Sequence, residues 1–256
     1  MRYFLELSYK GTAYSGFQIQ ENAHTIQAEV ENAMAVLFRE RIELTGSSRT
    51  DTGVHALQNF FHFDLAFPLA KYRLKNREEV VYKLNAILPS DLAIRSLREV
   101  KEDCHCRFDA VYREYNYYLS RNKNPFVQDR SWYYPYPVIM DRLQKAAKML
   151  MEYDDFTSFS KRNTQAKTFQ CRIMRSEWVV KRSMVIYKVR SDRFLRGMVR
   201  ALTATMLDVG KGKTTLAEFR AVIEGGDCNR ANFAAPGQGL FLMKVVYPEG
   251  YFGKEE

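Results

Sequence analysis

Gly46-Ser47-Ser48-Arg49-Thr50-Asp51-Thr52-Gly53-Val54-His55-Ala56 is the stretch around which the chain is read. The apolar segment Ile42 to Leu44 precedes it, and behind it Phe61, Phe63 and Leu65 alternate with polar neighbours. Apolar runs on both sides predict two strands, Ile42 to Thr45 and Leu57 to Leu65, with a loop between them. A connection that only reversed the chain would need about two to five residues, so a longer one mixing small side chains, a guanidinium and a carboxylate asks for a second purpose. Gly46 and Gly53 permit close backbone approach, and Asp51 stands two positions from Arg49. Residue types alone leave two readings of that pair: a structural ion pair in a turn, or a reactive carboxylate.

Upstream, Arg2 to Tyr9 alternates as a strand, and Lys10 to Gln20 is a polar loop holding Tyr14 and Phe17. Thr25 is placed to cap a helix reaching Arg39, with Ile26, Val30, Ala33 and Leu37 on one stripe. Downstream, a helix from Arg77 to Leu88 carries Val80, Val81, Leu84, Ile87 and Leu88 on its apolar side, and Pro89 stops it. A strand from Leu92 to Val100 follows, giving the order strand, helix, two strands, helix, strand. The second half repeats that order with one extra helix. Arg107 to Arg121 reads as a long strand whose Val111, Arg113, Tyr115, Tyr117 and Leu119 share a face. Then come a helix from Asp141 to Glu152, strands at Glu177 to Lys181 and Met184 to Arg190, and a helix from Leu195 to Val209. Thr215 and Glu218 form a capping box for a short helix ending at Gly225-Gly226, and Leu240 to Val246 is the last strand. This order predicts an α+β chain of two ferredoxin-like halves with mainly antiparallel sheets, residues 1–104 and 105–256, divided near Glu102 to Arg107. No repeated sequence accompanies the repeated order. Asn122 to Pro137 and Tyr153 to Gln170 are too long for plain connections and are expected to face substrate.

A quarter of the 256 residues are charged and nearly half are apolar, which is globular composition. The net charge of +9 is concentrated: Lys161 to Arg200 holds twelve Lys or Arg against Glu177 and Asp192, a local +10, leaving about −1 for the rest. Such a segment suits a polyanion, because neutralising phosphates supplies affinity independent of sequence. Met1-Arg2-Tyr3-Phe4-Leu5-Glu6 lacks the apolar run of a signal peptide, and no stretch approaches a membrane span, so a cytoplasmic protein is expected. The four cysteines are too few for a disulfide framework. Cys104-His105-Cys106 hints at a metal, but no second ligand pair at finger spacing accompanies it, and neighbours on a strand would point to opposite faces. No metal is expected there.

Asp51 leads the reactive candidates, and beside Arg49 it would stay ionised, able to act as nucleophile or base. His55 could serve as a base or close the turn by a hydrogen bond. Tyr115 and Tyr117 could stack on bases from a sheet surface, or simply be good strand formers. Arg200 falls on a helix with Phe194, Met198 and Leu202, where arginine usually keeps a buried stem and a solvated head. No glycine-rich phosphate cradle is present. The His and Asp residues do not cluster as a metal-dependent phosphoesterase would need.

Arg49-Thr50-Asp51-Thr52-Gly53-Val54-His55-Ala56 resembles the active-site signature of the A-type tRNA pseudouridine synthases. Tyr9 through Gln18, Phe108-Asp109-Ala110 through Tyr117, Asp155 through Phe159, Phe194 through Arg200 and Gly239-Leu240-Phe241-Leu242 resemble five further blocks of that family, in its order. Ser48 and Thr52 depart from the signature, where the family usually has Gly and Ala. The resemblance implies the pseudouridine synthase fold, its two halves meeting at a central RNA-binding cleft, working as a homodimer without cofactor or metal. It implies conversion of uridine to pseudouridine in the anticodon stem-loop of tRNA, around positions 38, 39 and 40. By motif, Asp51 corresponds to the catalytic carboxylate, Tyr115 to the tyrosine stacked on the target base, and Arg200 to the basic partner of the aspartate. Leu240 corresponds to the apolar residue beneath the ring, and Arg49 to the arginine filling the space of the extruded nucleotide. The rival from another class is a tRNA-binding chaperone of the same fold that has lost the reaction.

Overall fold

A computed structural model describes residues 1–162 and 166–252. Residues 163–165, inside the stretch Tyr153 to Gln170 and the basic segment, and 253–256 lie outside the described residues. The chain divides into two compact units, Met1–Val111 with Leu242–Glu256, and Tyr112–Phe241.

In the first unit, β1 (Arg2–Tyr9) is central: β3 (His55–Asp64) and β4 (Leu92–Val100) lie on its two sides, both antiparallel to it. The short β2 (Thr45–Gly46) pairs with β3, so the order is β4-β1-β3-β2, the ferredoxin-like arrangement. Alternation in β1 and β3 puts Leu5 opposite Phe61 and Tyr3 opposite Phe63, all buried, which fixes the register because a slip of one residue would expose the whole set. Two helices accompany the sheet, α1 (Ile26–Phe38) and α2 (Arg77–Ile87). Thr25 caps α1 by accepting the Ala28 N–H at 3.3 Å, and Asn76 caps α2 by accepting that of Glu79. The buried stripe of α1 is Ile26, Val30, Ala33, Met34 and Phe38, and Leu37 is only half-buried. Ile87, expected on the apolar side of α2, is exposed. The last strand, β9 (Leu240–Val246), returns to this unit from Leu242 onward and lies beside β3, with the Val245 N–H donated to Gln58 Oε1.

The second unit is built on β5 (Tyr112–Ser120), β8 (Met184–Ser191) and β7 (Ile173–Lys181), antiparallel in that order, with the two-residue β6 (Trp132–Tyr133) parallel to β5. Helices α3 (Met140–Met149), α4 (Met198–Gly210) and α5 (Leu216–Glu224) complete it. Of the residues of α4 only Arg200 is not buried, so the helix is packed on every side, with Thr203, Thr205 and Asp208 buried along with its apolar residues.

Several boundaries differ from the sequence reading, among them the strand read from Glu177, which starts at Ile173, and the helix read to Glu152, which ends at Met149. Ile42 and Leu44 are buried but unpaired, and strand pairing starts only at Thr45. The strand read from Arg107 starts at Tyr112, because Asp109 accepts the His105 N–H through Oδ2 and returns its own N–H to His105 O, closing a turn. The helix read from Leu195 begins at Met198, since Gly197 takes a left-handed φ of 76°.

Candidate active-site loop

Residues 47–54 connect β2 to β3. Three devices shape the loop. Backbone bonds hold its ends: Ser47 N–H to Phe60 O at 2.8 Å, Phe17 N–H to Thr50 O at 3.0 Å, and Val54 N–H to Asp51 O at 3.1 Å, a tight turn that Gly53 allows with φ of 75°. A buried polar cluster lies beneath. The Tyr9 and Thr50 hydroxyls share a 2.8 Å bond, and Asn59, fully buried on β3, donates to Tyr9 Oη and to Ser48 O. Burial pushes the Tyr9 phenol well up, so it stays a neutral hydroxyl able to donate. The third device is close backbone packing: a Cβ at Gly11 would lie 2.0 Å from Val54 O. Gly11 also donates its N–H to His55 Nδ1 at 3.1 Å, and His55 is only 1 % exposed, which is the turn-closing role rather than that of a solvent-reaching base.

On this support Asp51 is half-buried while Arg49 and Thr52 are exposed. Partial burial and the like charge of Arg107 lower the Arg49 guanidinium below its ordinary value. Arg107 was not singled out in the sequence. Nothing local shows that a residue 58 positions away sits close enough to Arg49 to repel it.

The other matched residues belong to the second unit. Tyr115, on β5 opposite Val189, is 7 % exposed, with its ring edge-on to Phe194 at 5.1 Å. Arg200 lies in the first turn of α4 and donates through Nε to Ala235 O at 2.6 Å. The next carbonyl, Pro236 O, accepts the Tyr117 hydroxyl at 2.7 Å, and a Cβ at Gly239 would meet the Tyr117 ring at 2.7 Å. Arg200 and Tyr117 thus brace the one segment that leads into the buried Leu240. Tyr117 is therefore a packing residue of the fold rather than an exposed base-stacking platform.

The basic segment is partly neutralised within the chain: Arg175 pairs with Glu177 and Arg190 with Glu114. Lys161 and Arg162 line a shallow cleft of about 360 Å³ together with Phe169 and Asn229, and Lys161 packs along Gly197 at the start of α4.

Cys104-His105-Cys106 is not on a strand, so the alternation that set neighbouring side chains on opposite faces does not apply. The turn brings His105 and Cys106 together with His62 of β3, and one donor atom from each lies within 4.8 Å of the others. His62 carried no signal of its own, being one more polar position in an alternating strand.

Fold and loop together define a class: an α+β protein with repeated ferredoxin-like order and a carboxylate held in a braced, glycine-bearing loop. The family model described as tRNA pseudouridine synthase matches residues 7–109 and 146–248, and the chain belongs to that family. It is 40 % identical over 255 residues to the tRNA pseudouridine synthase A of Parabacteroides distasonis, covering 100 % of this chain and 99 % of the relative. To that of Bacteroides thetaiotaomicron it is 42 % identical over 257 residues, covering 99 % and 93 %, and to that of Staphylococcus aureus 32 % over 259, covering 100 % and 95 %. Among the described residues no helix is long and apolar enough to cross a membrane.

Proposed function

We propose that this chain isomerises uridine to pseudouridine in tRNA, with Asp51 as the catalytic carboxylate. The observation that carries the reading is the match to the tRNA pseudouridine synthase family across both units, with the aspartate of the signature presented half-buried on a braced loop. The reaction breaks the bond from uracil N1 to the ribose and forms one from C5. The C5 proton leaves and N1 gains one, so nothing is consumed overall and no cofactor is needed. The carboxylate attacks the base or promotes cleavage of the glycosidic bond while the uracil turns over.

The finer parts belong to the same proposal. The targets are uridines 38, 39 and 40 of the anticodon stem-loop, Tyr115 stacks on the extruded base, Leu240 lies beneath the ring, and Arg200 is the basic partner of the carboxylate. Arg49 fills the space the nucleotide leaves. Extrusion costs a few kcal/mol, which phosphate contacts and stacking offset. Residues 1–104 supply the carboxylate loop and 105–256 the tyrosine motif, the basic segment and Arg200. The enzyme works in the cytoplasm as a homodimer.

Tritium release from tRNA labelled at uracil C5 tests the reaction. Wild type should release tritium in the presence of a chelator, and Asp51→Ala should release none while its Kd for tRNA stays within about twofold. Equal release from both would remove Asp51 from the chemistry. No release from wild type would favour a protein that only binds tRNA. Pseudouridine mapping of the product tests the three positions.

A further inference from the structure

We propose that His62, His105 and Cys106 form a binding site for one zinc-class divalent cation, distinct from the Asp51 loop and structural in role. The Cys106 sulfur stands 3.2 Å from His62 Nδ1. In tetrahedral zinc, with sulfur at about 2.3 Å and nitrogen at about 2.0 Å, those two ligands would sit about 3.5 Å apart. One edge of the tetrahedron is therefore already near its ligated length. The third donor belongs to His105, whose ring stands edge-on to His62 with centroids 4.6 Å apart. Closing the set from 4.8 Å takes a turn of that half-buried ring, and a fourth position is left for water.

The donor types select the ion. Two imidazoles and a thiolate suit zinc or cobalt and are poor ligands for magnesium or calcium, which take oxygen. The frame is unequal in a useful way: His62 sits on a central strand and Cys106 is fully buried, while His105 borders solvent and gives the ion an entry side.

The hydrogen bonds present belong to the metal-free state. The Cys106 thiol donates to Thr45 O at 3.1 Å, its backbone N–H donates to His62 Nδ1 at 3.3 Å, and His105 Nδ1 accepts from the Arg107 and Phe108 N–H groups. On binding, one proton leaves the thiol for solvent, and the imidazole nitrogens exchange amide donors for the ion. Asp109, whose carboxylate accepts the backbone N–H of His105, fixes the turn that carries the ring. The ion would tie the turn that follows β4 to β3, across 44 residues of sequence. This inference does not rest on the proposed reaction.

Reduced, metal-free protein titrated with Co²⁺ tests it. Wild type should take up one equivalent with a thiolate-to-cobalt charge-transfer band that Zn²⁺ abolishes. Cys106→Ala should lose the band, Cys104→Ala should keep it, and His105→Gln should bind at least tenfold more weakly. Zn²⁺ should raise the Tm of wild type and leave that of Cys106→Ala unchanged. The wild-type titration needs no variant to fold: absence of the band there overturns the site, as does a band that survives in folded Cys106→Ala.

Discussion

Asp51 owes its placement to residues that never reach the loop surface. The Tyr9 hydroxyl is bonded to Thr50 and to Asn59, and Tyr9→Phe would leave both of these buried groups short of a partner. The expected cost is about 1–2 kcal/mol of stability. Because the change loosens the backbone beside the carboxylate, tritium release in single turnover should fall further than tRNA affinity does. Gly11→Ala forces a methyl against Val54 O and should cost about 1–3 kcal/mol or more, read as a lower denaturant midpoint. Asp51 and Arg49 stand out in the sequence as a carboxylate and a guanidinium held between two glycines. Tyr9 and Asn59 do not, since a buried tyrosine bonded across 50 residues looks like any strand tyrosine until the strands pair. Cysteine reactivity separates at the same scale. Burial pushes the Cys171 thiol up to about 12, so its thiolate is scarce through pH 9, whereas Cys104 and Cys228 are half-exposed. Alkylation should label those two in the native protein, while Cys171 reacts only on unfolding. Mass spectrometry showing native Cys171 labelled at their rate would contradict its burial.

Elements whose signals are local were read almost residue for residue. Thr25 caps α1 and Thr215 with Glu218 closes a full capping box on α5, since the groups that bond are three positions apart. Thr215→Ala removes the side-chain acceptor of that box, and should cost about 1 kcal/mol, or roughly 2–4 °C in Tm for a chain of this size. Tritium release at 25 °C should be unchanged, because α5 carries none of the proposed site residues. Strand ends were read less well, and Ile42 and Leu44 show why: their apolarity reports burial, which they have, rather than pairing, which they lack. Leu37 failed in α1 for a geometric reason. At about 3.6 residues per turn the stripe drifts, and Met34 and Phe38 take the core positions instead. The turn before β5 leaves no mark in the sequence, because one Asp109 side chain bonded back to His105 ends an apolar pattern that otherwise reads as continuous strand.

For the whole molecule, the sequence carried the repeated element order but not the return of the last strand to the first unit. That return depends on pairing between residues nearly 200 apart, and β9 alone has the same alternation wherever it docks. Charge was the legible global property, and the structure sharpens it. Of the twelve cations between Lys161 and Arg200, Arg175 and Arg190 are paired within the chain; Glu177, the partner of Arg175, is already counted in the local +10, whereas Glu114, the partner of Arg190, is not, so pairing lowers it to about +9. If about six of the remainder meet phosphates, log K for tRNA should fall with log salt at a slope near −4 to −5, at roughly 0.7–0.9 per contact. Lys161→Gln and Arg162→Gln, both at the cleft beside Asn229, should each make that slope shallower by about 1 and weaken binding to every tRNA alike, because a phosphate contact carries no base identity. Glu114→Gln should act oppositely: releasing Arg190 from its pair adds a cation to the surface and should tighten binding at low salt. A slope unaffected by all three substitutions would place the RNA track elsewhere on the molecule, whatever the fate of Asp51.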